Sequence, residues 1–178
     1  MAAPPEKTLK NLAGKWVMNK TLSDDTDRIL QMQGVGWFYR RAIALATITL
    51  TVTEYTKDDL THIDISQVAT PGGITSVENR TLDWEYHDHT DKIFGKVKGK
   101  SRWVKLGDVD DDEFLKTGFD DLEGEHVQSY VESDGGGWTA DQVWGFEILD
   151  GKRYYVRHVV VRKGDDWKLA RLVYDFKE

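Results

Sequence analysis

The sequence predicts a mainly β protein: a single antiparallel, up-and-down β-barrel of about ten strands, with a helix-turn-helix lid after the first strand. From Thr47 onward, apolar and polar residues alternate with period two, in stretches separated by Asp, Gly and Pro turn signals. Helical spacing is confined to the region before Thr47. At 178 residues and 39% hydrophobic content the chain has the size of one domain with a real core. So many hairpin-linked strands expose edges unless the sheet closes on itself.

The elements follow in order. Met1 to Thr8, with Pro4 and Pro5, reads as a flexible N-terminal tail, and residues 9–178 as the barrel domain. A first strand contains Trp16. Ser23 is a suitable N-cap, Asp24 and Asp25 suit the positive end of a helix dipole, and Gly34 is placed to stop the helix, which predicts a first helix over Asp24 to Gln33. After the Gly34-Val35-Gly36 corner a second helix is expected from Trp37 to about Leu45, with Trp37, Phe38, Arg41, Ala42 and Leu45 on one side. Strands are then expected from Thr47, and over 61–68, 75–80, 82–89, 93–105, 125–132, 138–149, 153–162 and 167–176. Turn signals at Pro71-Gly72-Gly73, Asp134-Gly135-Gly136-Gly137, Asp150-Gly151 and Gly164-Asp165 punctuate them.

Composition narrows the function. Lys and Arg total 24 against 31 Asp and Glu, a formal charge of -7, which disfavours nucleic acid as a partner. There is no cysteine, so disulfides, thiolate metal sites and thiol nucleophiles are excluded. The first residues lack an apolar signal core and no later run has the length of a membrane span, so a cytoplasmic protein without stable membrane insertion is expected. No phosphate loop, dinucleotide fingerprint or serine nucleophile motif appears, and no cofactor is expected. The run Asp108 to Glu113 begins like a calcium loop, but Glu113 and Phe119 stand where such a loop needs Gly and a bidentate Glu; it reads as a solvated loop.

Strand faces locate candidate site residues. With Gly164-Asp165 at the tip of the final hairpin, Arg157 pairs with Leu172 and Tyr155 with Tyr174, on one face with Val159, Val161, Ala170 and Phe176. The other face carries Tyr154, Val156, His158, Val160, Leu169, Arg171 and Val173. In the strand from Ile93 to Trp103, Lys96, Lys98, Lys100 and Arg102 should face water. Gly95, Val97, Gly99, Ser101 and Trp103 then face inward, and such small side chains either leave a cavity or permit a sharp barrel bend. Asp83, Glu85, His87 and His89 share a face. His87-x-His89 has a metal-ligand spacing, and a His beside carboxylates suits acid-base chemistry, but the simpler reading is a solvated face opposite Trp84 and Tyr86, with no metal site.

The Gly14-x-Trp16 segment, the two short helices, Gly34-Val35-Gly36 and the basic pair Arg40-Arg41 together resemble the intracellular lipid-binding proteins, the fatty-acid-binding branch of the calycins. The close match covers Leu12 to about Ala46. The resemblance implies a ten-stranded barrel capped by two helices and holding an apolar molecule admitted beneath the lid, with Trp16 plugging the closed end. It also implies a carboxylate grip by a C-terminal Arg-x-Tyr pair. Tyr174 matches its Tyr, but Leu172 stands where its Arg would be, and Arg157 is the candidate substitute from the neighbouring strand. The candidate ligand-binding residues are Arg157, Tyr174, Tyr155, Trp103 and Phe38; no catalytic residue is assigned. Two functions follow: binding or transport of a hydrophobic, lipid-like or polycyclic molecule, or a cofactor-independent cyclase or isomerase acting on a hydrophobic natural-product intermediate.

Overall fold

The computed structural model describes residues 1–177. In chain order the elements are β1 (Gly14–Met18), α1 (Asp27–Met32), α2 (Trp37–Leu45), β2 (Thr47–Lys57), β3 (Leu60–Thr70), β4 (Ile74–Thr81), β5 (His87–Asp91), β6 (Gly95–Val104), β7 (His126–Ser133), β8 (Trp138–Leu149), β9 (Lys152–Lys163) and β10 (Asp166–Phe176). They form one antiparallel sheet in the order β4-β3-β2-β1-β10-β9-β8-β7-β6-β5, an up-and-down barrel whose two unpaired edges are β4 and β5. Side chains bridge that gap, as where Ser76 donates to Asp91 at 2.8 Å. The final hairpin has the expected register, with Leu172 opposite Arg157 and Tyr174 opposite Tyr155.

The barrel interior has a packed half and an open half. The packed half is built around Trp16, whose ring meets Phe146, Tyr155 and Phe176 at centroid distances of 6.2, 5.3 and 4.9 Å, and whose Nε1 donates to the Leu12 carbonyl. The strands run from one half into the other. On β9 the inward residues pass from Tyr155, packed, through Arg157 to Val159, which lines the open half. On β6, Val97, Gly99 and Ser101 line the open half and Trp103 packs against the core around Trp16. Small inward residues on β6 thus coincide with the cavity.

Three local expectations change. The first helix begins at Asp27, because Ser23 and Asp24 are committed to β10: Val173 N–H donates to Ser23 Oγ at 2.8 Å and Arg171 N–H to Asp24 Oδ2 at 2.7 Å. On α2 the apolar side containing Trp37, Phe38 and Leu45 faces solvent, and Ile43 turns toward the cavity instead. Arg40 fixes that rotation by binding Asp27 and the Val35 carbonyl, both at 2.9 Å. Residues 82–86 are irregular rather than strand, since Trp84 takes a left-handed backbone (φ 61°) and its N–H donates to Ser101 O. Trp84 and Tyr86 therefore lie outside, over the cationic groups of Lys98, Lys100 and Arg102, rather than in the core.

The segment between β6 and β7 is not a solvated loop throughout. Its two 3-10 turns, Leu106–Asp108 and Glu113–Lys116, cover the outer face of β8 to β10 and bury Leu106, Val109, Leu115 and Phe119 against Val143, Val156, Val160 and Val173. Gly145 is required there, because a side chain at that position would collide with the Phe119 ring. This layer explains why both faces of β9 are buried.

Asp141, on the covered face, is buried; burial raises its carboxyl to about 7, the nearby Asp111 carboxylate adding to a rise that Gln128 opposes. The folded chain then holds a proton that the unfolded chain releases above about pH 4. Stability is full below the unfolded pKa and falls as pH rises toward 7, by roughly 2 kcal/mol given that Asp111 shares the site. Urea denaturation between pH 4 and 7 should show that fall in the wild type and lose most of it in Asp141→Asn.

Candidate functional site

A cavity of about 380 Å³ fills the open half. Thr26, Ile29, Leu30 and Gln33 of the α1 region and Ile43 of α2 roof it, so the two helices are its lid. Its apolar wall consists of Phe94, Val97, Val131, Trp138, Val159 and Leu172, and His87, His89 and Asp91 of β5 line the side facing the strand gap. The size suits a small organic ligand.

Where the open half meets the packed half lies a charged group. Glu78 of β4 accepts from Arg157 Nη1 of β9 at 3.2 Å and from Arg80 Nη2 at 3.1 Å, and Arg80 also donates to Ser129 of β7. Arg157 Nε donates to the Tyr155 hydroxyl at 2.8 Å, and its guanidinium lies 4.1 Å from the Trp144 ring centroid. Its Nη2 is buried and has no hydrogen-bond partner among the described residues. Burial alone would raise the Glu78 carboxyl, but the charges of Arg157 and Arg80 and their hydrogen bonds outweigh it and hold the group at about 2. Two guanidiniums thus share one carboxylate, which leaves one positive charge beside the cavity. Tyr174 lines the cavity with its ring centroid 5.6 Å from the Arg157 guanidinium, and its hydroxyl makes no hydrogen bond among the described residues. Burial raises its pKa, with Arg157 opposing, so it stays a neutral donor.

The structure brings Arg157, Tyr174 and Tyr155 together, with Arg157 and Tyr174 on the cavity and Tyr155 behind them supporting Arg157. Trp103 is not on the cavity: it lies at the packed end, where its Nε1 donates to Thr61 Oγ1 at 3.3 Å. Phe38 is 74% exposed on the outer side of α2 and also does not line it. Glu78 and Arg80 were missed by sequence reasoning. Inward residues of β4 are Ser76, Glu78 and Arg80 while Val77 faces out, the reverse of the usual polarity, so nothing local marks them as interior. No cluster of three or more acidic or imidazole groups able to hold a metal occurs among the described residues. No helix among them is long and apolar enough to cross a membrane.

Fold and site together define a ten-stranded up-and-down barrel with the fold of fatty-acid-binding proteins, a lidded internal cavity and a buried charged group at the cavity's inner end. A Schistosoma mansoni fatty acid binding protein in complex with arachidonic acid superimposes with a TM-score of 0.58 at 18% identity, over 93% of this chain and 96% of that one, a likeness of fold. No protein-family model matches the sequence. The probable pericyclase scpY of Mollisia scopiformis is 34% identical over 181 residues, covering 98% of this chain and 94% of the relative. The pericyclase pydY of an Acremonium species is 30% identical over 184 residues, covering 99% and 97%. The chain belongs to the family of these two proteins.

Proposed function

We propose that the protein is a cofactor-independent pericyclase that binds a flexible, apolar, carbonyl-bearing polyene in the barrel and promotes its closure to a ring. The observation that carries this reading is the uncompensated positive charge of the Arg80, Glu78 and Arg157 group beside a free Tyr174 hydroxyl, at the inner end of an apolar cavity. Full-length relatives named as pericyclases support it. A concerted ring closure moves electrons within one molecule and needs two things from a protein. The first is confinement of the chain in a reactive fold, which the walls from Phe94 to Leu172 and the lid supply. The second is polarisation of the electron-poor alkene through its carbonyl, which Tyr174 supplies by donating to the oxygen while the net charge favours the electron density gathering there.

Binding of a hydrophobic small molecule is common to this reading and to a carrier role, so turnover is the deciding measurement. A synthetic linear trienone incubated with the protein should cyclise faster than in buffer, followed by loss of triene absorbance. Tyr174→Phe should slow the closure about tenfold, one hydrogen bond's worth, without loss of stability, because that hydroxyl has no protein partner to lose. Arg157→Met should weaken an anionic apolar ligand by roughly 1.5–3 kcal/mol and leave neutral probes nearly unaffected. Binding of the trienone without acceleration would return the protein to a carrier.

A further inference from the structure

His87, at the cavity wall beside the strand gap, is not used by the ring closure. Its Nε2 lies 2.8 Å from Asp83 Oδ2, and Asp83 Oδ1 accepts the Glu85 N–H at 2.8 Å. The segment that carries Asp83 is held on both sides. Leu82 is buried in the core and its N–H donates to Thr61 O, while the Trp84 N–H donates to Ser101 O and the Trp84 ring is clamped between Lys100 and Arg102, each 4.2 Å from its centroid. Asp83 is thus a fixed acceptor. Burial would raise its carboxyl, but the Glu85 N–H and His87 hold it below the usual carboxylate range. A neutral imidazole facing that carboxylate keeps its proton on Nε2, which leaves the lone pair on Nδ1. No hydrogen bond among the described residues engages Nδ1. The side chain is 50% exposed, so a proton taken up there exchanges with water.

We propose that His87, oriented by Asp83, is a general base that removes a proton from a carbon acid held in the cavity, so that the protein also catalyses tautomerisation of apolar, enolisable ketones. Nδ1 accepts the proton from the carbon next to the carbonyl. The C–H electron pair becomes the enolate C=C bond, and the carbonyl π pair moves onto oxygen, where the Tyr174 hydroxyl and the net charge of the arginine group offset it. Return of the proton from the imidazolium to the same or a conjugated carbon completes the cycle with no oxidant or reductant. The inference rests on the cavity being the substrate site and deepens that reading, because a conjugated enol is the electron-rich diene that a ring closure consumes.

The test uses 2-tetralone, a flat apolar ketone, in deuterated buffer, with exchange of its C1 protons followed by NMR and binding measured by tryptophan fluorescence. The wild type should accelerate exchange. His87→Gln should lower the catalysed rate about a hundredfold with tetralone still bound, and added imidazole should restore part of it, as a purely structural role would not allow. Asp83→Asn, a positioning change, should lower the saturated rate and leave the half-saturating concentration unchanged. Exchange in His87→Gln at the wild-type rate, or bound tetralone that the wild type does not exchange, overturns the base. Failure of tetralone to displace an apolar fluorescent probe instead overturns the site reading, and the proposal with it.

Discussion

Glu78→Gln is expected to destabilise the protein by about 3–5 kcal/mol, the effect of removing one partner from a buried ion pair. The two guanidiniums it serves cannot find another carboxylate among the described residues: Arg157 and Arg80 each make an ion pair with Glu78 alone. Their remaining partners, Tyr155 and Ser129, are neutral. The same group sets an acid limit. Because the Glu78 carboxyl is held at about 2, below its ordinary value of 4.5, its contribution is fully present above pH 4.5 and is lost as pH falls toward 2, by about 3 kcal/mol. Urea denaturation at pH 7 measures the first effect and a series between pH 5 and 2 the second. The double variant Glu78→Gln with Arg157→Met should recover part of the loss, since it removes the charge that the single variant strands. A single variant as stable as the wild type would mean that the arginines are not held by Glu78.

How much of this was legible follows from where each interaction closes. The final hairpin was readable because a turn sets its register and the register sets its faces; Arg157, Tyr155 and Tyr174 meet as the two-residue tip requires. The long strand β8, the start of β2 and the second helix were readable for the same local reason. The partner of Arg157 was not, because Glu78 lies on β4 and reaches β9 across the barrel interior rather than along a ladder. Trp84 misled because its strand-like alternation ends in a left-handed turn that only the contact with Ser101 explains. Phe38 misled differently: the helical side that carries it is apolar in sequence, yet α2 is turned by Arg40 so that Ile43 meets the cavity and Phe38 meets solvent. Trp103 shares the inward face of β6 with Gly99 and Ser101 but lies at the packed end, a depth that alternation along a strand does not encode.

The outer layer yields the other large effect. His158 Nδ1 donates to the Phe114 carbonyl at 2.8 Å, Nε2 faces Glu147, and Arg171 Nη1 donates to the second Glu147 oxygen at 3.1 Å. The imidazole is stacked against Phe114 and Phe119 at 4.7 and 4.6 Å, so this ring fastens the segment between β6 and β7 to the barrel together with the Arg162–Asp111 and Arg153–Asp120 ion pairs. Gly118 passes so close to the Glu147 carboxylate that a side chain there would displace it. Glu147 and His158 are both buried, so loss of the carboxylate leaves the imidazole without its partner, while Arg171, whose side chain is 34% exposed, keeps access to solvent. Glu147→Gln should therefore cost about 3–5 kcal/mol. Hydrogen exchange should localise the damage, with the amides of Leu115 and Asp120, which donate to Asp112 O and Phe146 O, losing protection before those of β9. Ligand binding in the cavity should be unchanged in the folded fraction, because the cluster sits on the opposite face of the sheet from Arg157. Replacing the whole set apolarly, with Glu147→Leu, His158→Phe and Arg171→Met together, should restore much of the stability, since buried ion pairs exchanged for packed hydrophobic groups are often neutral or stabilising. If that triple variant were no more stable than Glu147→Gln, the layer would depend on the hydrogen bonds of His158 to Phe114 rather than on avoiding stranded charge, and the carboxylate would have to be counted as an orienting group for that ring.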